Sequence, residues 1–168
     1  MSHPFHFPNP VNEVSARLVA GGVVIMSAAA IAFRLEWLVA IIALGFVARV
    51  AAGPTFSVLG QVVTRAITPR LPFEPKSVPG PPKRFAQGIG AVFSSASTAL
   101  LLVFDADLAG WIVLGVLAIA AVLEAVFAFC LGCQMFALLI KLGLVPEAVC
   151  EACGDIRART DAALERAS

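Results

Sequence analysis

The chain has 168 residues, of which 60% are hydrophobic and 14% are charged, and its net charge at pH 7 is +1. A soluble domain is typically about 45–50% apolar and about 25% charged, so a single soluble core does not account for this excess of apolar residues. The composition therefore predicts an integral membrane protein. The chain has no basic run interleaved with aromatic residues, and we expect no nucleic-acid partner.

Four apolar stretches, residues 17–33, 37–52, 85–104 and 110–133, are candidates for membrane-spanning helices. A helix needs about 17–25 residues to cross the hydrocarbon core, so the first two are short and a shallow hairpin is their alternative. We expect the first stretch to be a retained span rather than a cleaved signal peptide, because the segment before it is long and contains proline. Four spans are the simplest count, and they predict an all-α membrane protein with a transmembrane bundle over residues 1–145.

The polar stretch 53–84, between the second and third spans, is predicted to have two parts. In the first part, apolar side chains recur at helical spacing, which predicts an amphipathic helix on the membrane surface. These side chains are Phe56, Leu59, Val63 and Ile67. The second part has six prolines between Pro69 and Pro82, which predicts an extended connector because proline lacks a backbone donor and has a fixed φ.

The distribution of basic residues predicts the orientation of the bundle. The stretch from Arg49 through Arg84 has six basic residues and one acidic residue, whereas the turn between the third and fourth spans has two aspartates and no basic residue. The positive-inside rule therefore places the loop 53–84 and both termini in the cytoplasm, with the protein in the inner (cytoplasmic) membrane. Arg34, in the turn between the first two spans, would then face outward, which is a mild contradiction.

All four cysteines lie near the end of the chain in two C-x-x-C pairs, Cys130 with Cys133 and Cys150 with Cys153. If the fourth span runs inward, its length of about 30 Å carries the first pair to the cytoplasmic membrane surface. The second pair belongs to a cytoplasmic tail, residues 146–168, in which an early proline predicts a short helix. Cytosolic thiols stay reduced, which disfavours a structural disulfide and favours redox or metal chemistry.

The first of two functions that fit these pairs is thiol redox chemistry. Cys130, Cys133, Cys150 and Cys153 would then be the catalytic groups of a membrane thiol protein, which handles electrons or sulfur. Positions i and i+3 of a helix have Cα atoms about 5–6 Å apart, which is within reach of a disulfide. The expected partner is a thioredoxin-like or sulfurtransferase protein of the cytosol.

The second function is metal binding by the same four cysteines. The spacing C-x2-C-x16-C-x2-C fits paired zinc knuckles, so the thiolates could hold zinc or an iron centre. The chain would then be a non-enzymatic accessory or structural subunit of a larger membrane complex. Simple packing of the cysteines in the bilayer is a third interpretation, and the sequence alone leaves open whether the protein is an enzyme.

Two ionisable residues, Arg49 and Glu124, lie inside predicted spans. A buried charge in a membrane is costly and is usually paired or functional. Both residues are expected in the inner half of the bilayer, so we predict an intramembrane Arg49–Glu124 ion pair. A sharper hypothesis makes Glu124 a proton carrier for the thiol chemistry of Cys130, two helical turns further on.

Four segments carry a resemblance to a known family. They read FPNPVNEVSARLVAGG near the start, GPTFSVLGQVVTRAITPRL after the second span, PPKRFAQGIG before the third, and FCLGCQMFALLIKLGLVPEAVCEACGDI at the end. Together they resemble an uncharacterised bacterial membrane family, domain-of-unknown-function family 4395. The resemblance covers nearly the whole chain and implies a small multi-span membrane protein. It implies no established activity, and no functional residue beyond the cysteine motifs.

Overall fold

A computed structural model describes residues 11–53, 57–70, 77–78 and 80–145. Six α-helices make up most of this part of the chain, which confirms the predicted helical architecture. The elements are β1 (Val11–Asn12), α1 (Glu13–Phe33), α2 (Glu36–Ala52), α3 (Val58–Gln61), β2 (Ser77–Val78), α4 (Gly80–Leu102), α5 (Asp107–Phe127) and α6 (Leu131–Lys141). The two short strands pair antiparallel with each other.

The predicted amphipathic segment is helical but irregular. After α3 the chain continues through a π-helical turn (Val62–Ile67) and a 3₁₀ turn (Thr68–Arg70). Leu59 packs against α1 and Val63 is buried, so these two apolar side chains face the bundle, whereas the predicted position of the segment on the membrane surface stays a prediction. Phe56 lies outside the described residues, as do residues 71–76 and 79 of the predicted proline connector.

The four long helices form an antiparallel bundle with α4 at its centre. α4 contacts α2, α5 and α6, while α1 contacts α5 and α2. Gly90 of α4 lies so close to the ring of Phe46 on α2 that a side chain at this position would overlap the ring. At the far end of α4, the hydroxyl of Ser97 donates to the carbonyl oxygen of Gly110 at 2.8 Å, which ties α4 to the start of α5. The hydrophobic core comprises Val23, Ala30, Val39, Ile42, Leu101, Trp111, Leu114, Leu117 and Ala121.

Three of the described helices, α1, α4 and α5, are long and apolar enough to cross a membrane. α2 has 17 residues, which at 1.5 Å per residue extend about 25 Å, slightly less than the usual hydrocarbon thickness. Large apolar side chains are exposed on the outer faces of the long helices, among them Ile25, Ile41, Leu44, Val92, Ile112 and Ile119. This surface is consistent with a membrane protein, because lipid rather than water would cover it.

The predicted start of the third span, Phe85, is too late by five residues, because α4 begins at Gly80. Pro81 and Pro82 occupy the first turn of the helix, where a backbone N–H has no intrahelical acceptor and the fixed φ of proline suits the helix. The dense run of prolines predicts a connector up to the span, but its last two members are helical. Lys83 therefore belongs to the bundle and not to a solvated loop.

The predicted span over 110–133 is too long, because α5 ends at Phe127 and both cysteines of the first pair lie beyond it. The next residue adopts a left-handed conformation with φ 56°. Arg17 on α1 donates to the carbonyl oxygens of Ala125 and Val126 at 3.0–3.1 Å, satisfying acceptors that a helix end leaves open. A side chain from another helix thus stabilises the end of α5, and the chain then turns into α6.

Replacing Arg17 by Met should destabilise the bundle by about 2 kcal/mol, because the last carbonyls of α5 would lose hydrogen bonds from a charged donor. Thermal unfolding in detergent micelles measures the effect. Arg65→Met is the matched control, since Arg65 is exposed and lies on the π-helical turn. Equal stability of the two variants would show that Arg17 does not stabilise the end of α5.

Candidate functional site: a dithiol beside a buried ion pair

The antiparallel packing brings the start of α4 and the end of α5 together at one end of the bundle. There the ammonium of Lys83 lies 2.6 Å from Oε1 of Glu124, and the two side chains are 10% and 22% exposed. Each charge would be costly alone in apolar surroundings, so their pairing is a condition for burying either of them. The pair links α4 directly to α5.

Arg49 on α2 is 3% exposed and has polar partners of its own. Its Nε donates to Oε1 of Gln87 at 2.8 Å, one terminal nitrogen donates to the hydroxyl of Ser57 at 3.1 Å, and the guanidinium lies 4.4 Å from the ring centroid of Phe46. The direct partner of Glu124 is Lys83. Arg49 interacts with Glu124 only through longer-range electrostatics.

Two polar residues of this site, Lys83 and Gln87, do not appear among the residues singled out in the sequence. Both lie on the first turns of α4, and their spacing of four places them on one helix face. The signal that could have found them is the pair of prolines just before Lys83, which is well suited to the first turn of a helix.

The first cysteine pair lies at the beginning of α6. Cys130 occupies the N-cap position and Cys133 the third position of the helix. Their sulfurs are 2.7 Å apart, whereas a disulfide bond is about 2.05 Å long, so a bridge requires a movement of less than about 1 Å. Gly132, between them, lies against the backbone of Ala86, which holds the start of α6 on α4.

The two thiols differ in access and in acidity. Cys130 is 7% exposed, while Cys133 is half-buried. The Cys133 thiol donates to the Cys130 sulfur, which lowers the pKa of Cys130; the charge of Lys83 acts in the same direction, against burial and the charge of Glu124. Donation to Cys130 and burial raise the pKa of Cys133. The helix N-terminus also favours a thiolate at Cys130, so Cys130 is the more acidic thiol of the pair.

A cavity of about 690 Å³ lies between the helices and brings these groups together. Its polar lining comes from Arg49, Lys83, Gln87 and Glu124, and Cys130 lines it as well. The rest of the lining is apolar and comes from α1, α2, α4, α5 and α6. Cys130, the ion pair and the buried arginine therefore form one site around a shared space, and Cys133 joins it through its contact with Cys130.

The second cysteine pair, Cys150 and Cys153, lies outside the described residues, as does the predicted cytoplasmic tail 146–168. Within the described part of the chain, His, Cys, Asp and Glu side chains form no group of three or more that could hold a metal ion. A zinc or iron centre on all four cysteines thus stays a prediction.

Comparison with known families identifies the chain. The family described as "Domain of unknown function (DUF4395)" matches residues 11–141. The chain belongs to this family. The DUF4395 match contains all six described helices and the first cysteine pair, and it ends before the second pair. No curated protein and no solved structure matches the chain.

The partner of Glu124 can be tested by two double-mutant cycles. Lys83→Met and Glu124→Met should each destabilise the bundle by about 3 kcal/mol, because each leaves a buried charge unpaired, and the double variant should recover most of the loss. Arg49→Met combined with Glu124→Met should show much weaker coupling, since the hydrogen-bond partners of Arg49 are Gln87 and Ser57 and not Glu124. Unfolding of every variant in the same detergent gives the free energies of unfolding for both cycles. A stronger coupling for the Arg49 cycle would refute the assignment.

Proposed function

We propose that this protein is a membrane dithiol protein in which Cys130 and Cys133 cycle between two thiols and one disulfide. The observation that carries the proposal is the 2.7 Å contact between their sulfurs at the start of α6, beside the positive charge of Lys83. Two thiols in contact, one of them made more acidic by the hydrogen bond from its neighbour, are features that favour thiol–disulfide exchange. The expected partner is a thioredoxin-like or sulfurtransferase protein of the cytosol.

The different exposure of the two sulfurs suggests the course of the exchange. In the disulfide form, a thiolate of the partner would attack Cys133, which is the more accessible sulfur. The bond to Cys130 would break, and Cys130 would leave as the thiolate because its pKa is the lower of the two. A second thiol of the partner would then displace Cys133, so that the partner is oxidised by two electrons and this dithiol is reduced. If the partner carries a persulfide, the reduced pair would act instead: one of its thiolates would attack the outer sulfur, the partner would leave as a thiolate, and the attacking cysteine would then carry the persulfide.

The second pair, Cys150 and Cys153, is proposed as a relay between the partner and the first pair. It follows the first pair closely in sequence, and exchange between the two would proceed through a mixed disulfide.

The finer topology belongs to the same proposal. We infer four spans, with α2 as the shortest, and a site that faces the cytoplasm. The support is the charge distribution: the end of the bundle that carries the site has basic residues on α1, α2 and α4, whereas the opposite turn has Asp105 and Asp107. Both termini would then be cytoplasmic, and the protein would lie in the inner membrane of a bacterial cell.

The redox proposal is tested in a chain that carries Cys150→Ser and Cys153→Ser, so that only the first pair remains. Mild oxidation with diamide should form an intramolecular Cys130–Cys133 disulfide, seen as a mass loss of two hydrogens and as protection from alkylation. Cys133→Ser in the same background is the control, and it should form no intramolecular bridge. Two thiols that stay free under these conditions would contradict the proposal.

The wild-type chain tests the metal alternative. Zinc or iron that is retained through purification, and lost on replacing any one of the four cysteines by Ser, would replace the redox proposal by a metal centre.

The orientation is tested by Ser77→Cys in a chain whose native cysteines are all replaced by Ser. Ser77 precedes α4 at the end of the bundle that carries the site. A membrane-impermeant maleimide should label this thiol in inside-out vesicles and not in intact cells. Labelling in intact cells would reverse the proposed topology.

A further inference from the structure

The cavity beside the dithiol has a polar end and an apolar end. Lys83 and Gln87 lie on the first turns of α4, whereas Val92 and Phe93, about 8–15 Å further along the same helix, line its apolar part. The volume of about 690 Å³ lies within the usual range of about 300–1,000 Å³ for small-molecule sites. The volume and lining therefore suit an amphiphile with a polar ring or head and an apolar tail.

The cavity opens through the apolar outer surface of the bundle. Four of its lining residues are exposed, and all four are apolar; they are Val92, Val116, Leu131 and Met135. In a membrane these side chains would face lipid tails, so a molecule dissolved in the bilayer could enter from the side. A water-soluble substrate would have no polar route through this opening.

The polar end offers hydrogen-bond donors next to a sulfur. The ammonium of Lys83 has three N–H donors, one of which is directed to Glu124, and the amide of Gln87 supplies an NH₂ group. These donors suit a carbonyl oxygen, and Cys130 lines the same cavity. A carbonyl compound with an apolar tail, held here, would be in contact with a group that can reduce it.

We propose that this cavity binds a lipid-soluble quinone, which accepts the electrons of the Cys130–Cys133 dithiol. The proposal rests on the redox function proposed above and names its electron acceptor. A simple acyl chain would fill the apolar part of the cavity but would offer no acceptor to the Gln87 amide or to the remaining N–H groups of Lys83, whereas a quinone carbonyl would.

The reaction balances with the quinone as the sole co-reactant. The Sγ atoms of Cys130 and Cys133 form one S–S bond, and the two thiols together lose two electrons and two protons. The quinone takes up both electrons, its two carbonyl oxygens receive the two protons, and the product is the quinol. Glu124, paired with Lys83 at the polar end, is placed to pass one of these protons to the nearer oxygen.

The test uses the chain with Cys150→Ser and Cys153→Ser, reduced and then freed of reductant, in detergent. Decylubiquinone is the probe, because its fully substituted ring disfavours covalent addition of a thiol. Quinol formation, followed by absorbance, should match the loss of thiols, with one disulfide formed for each quinol.

Ala120→Phe should block the cavity, because Ala120 lines it on α5. The rate of quinone reduction should fall about tenfold or more, equivalent to about 1.4 kcal/mol, while diamide still closes the disulfide. Ile119→Phe is the matched control: its side chain is exposed on the same helix, and the rate should stay near that of the parent. Equal rates in all three chains would show that the reaction bypasses the cavity and would overturn the proposal.

A binding measurement tests the quinone site independently of the redox function on which the proposal rests. The chain with all four cysteines replaced by Ser should bind decylubiquinone saturably in equilibrium dialysis, and Ala120→Phe should weaken this binding. If diamide closes the disulfide but decylubiquinone neither binds nor oxidises the thiols, the quinone site is wrong and the dithiol function stands. If neither reagent closes the disulfide while the quinone binds, the redox function fails and with it the role of the quinone as acceptor.

Discussion

The end of α5 is the constraint on which the geometry of the site depends. If α5 continued to Cys133, both cysteines would lie on one straight helix. Instead, Arg17 on α1 bonds the last carbonyls of α5, the next residue turns left-handed, and α6 starts at a separate N-terminus. This break gives Cys130 its N-cap position, directs Cys133 towards it, and lets Gly132 rest on α4.

The site also depends on its buried charged residues, which the central position of α4 brings together. Lys83 and Gln87 are both on its first turns, where one neighbouring helix brings Glu124 and another brings Arg49. Pairing with Glu124 offsets the cost of burying the Lys83 ammonium, which keeps a positive charge close to the thiols. Both partners line the cavity, and their charges act on the pKa of Cys130 in opposite directions, Lys83 lowering it and Glu124 raising it. Stability and proposed chemistry therefore depend on the same few contacts.

The two sulfurs of the dithiol have different surroundings. Cys133 is the more accessible sulfur and suits exchange with a protein partner, while buried Cys130 lines a space that opens between apolar side chains. This arrangement suits a protein that accepts electrons on one side and delivers them to a lipid-soluble carrier on the other. Both proposed reactions use the same pair of sulfurs, those of Cys130 and Cys133.

Much of the fold could be predicted from the sequence, because long apolar stretches need helices to satisfy their backbone groups in lipid. The sequence by itself determined the helical membrane architecture, the rough positions of the long helices and the two cysteine motifs. It gave no sign that α5 ends before Cys130, since the break is stabilised by Arg17 from a helix more than a hundred residues earlier. Likewise, Glu124 was recognisable as a buried charge, but its partner was not. Only the packing of α4 against α5 decided that Lys83, rather than Arg49, lies at hydrogen-bonding distance, because proximity between distant segments is a property of the folded bundle.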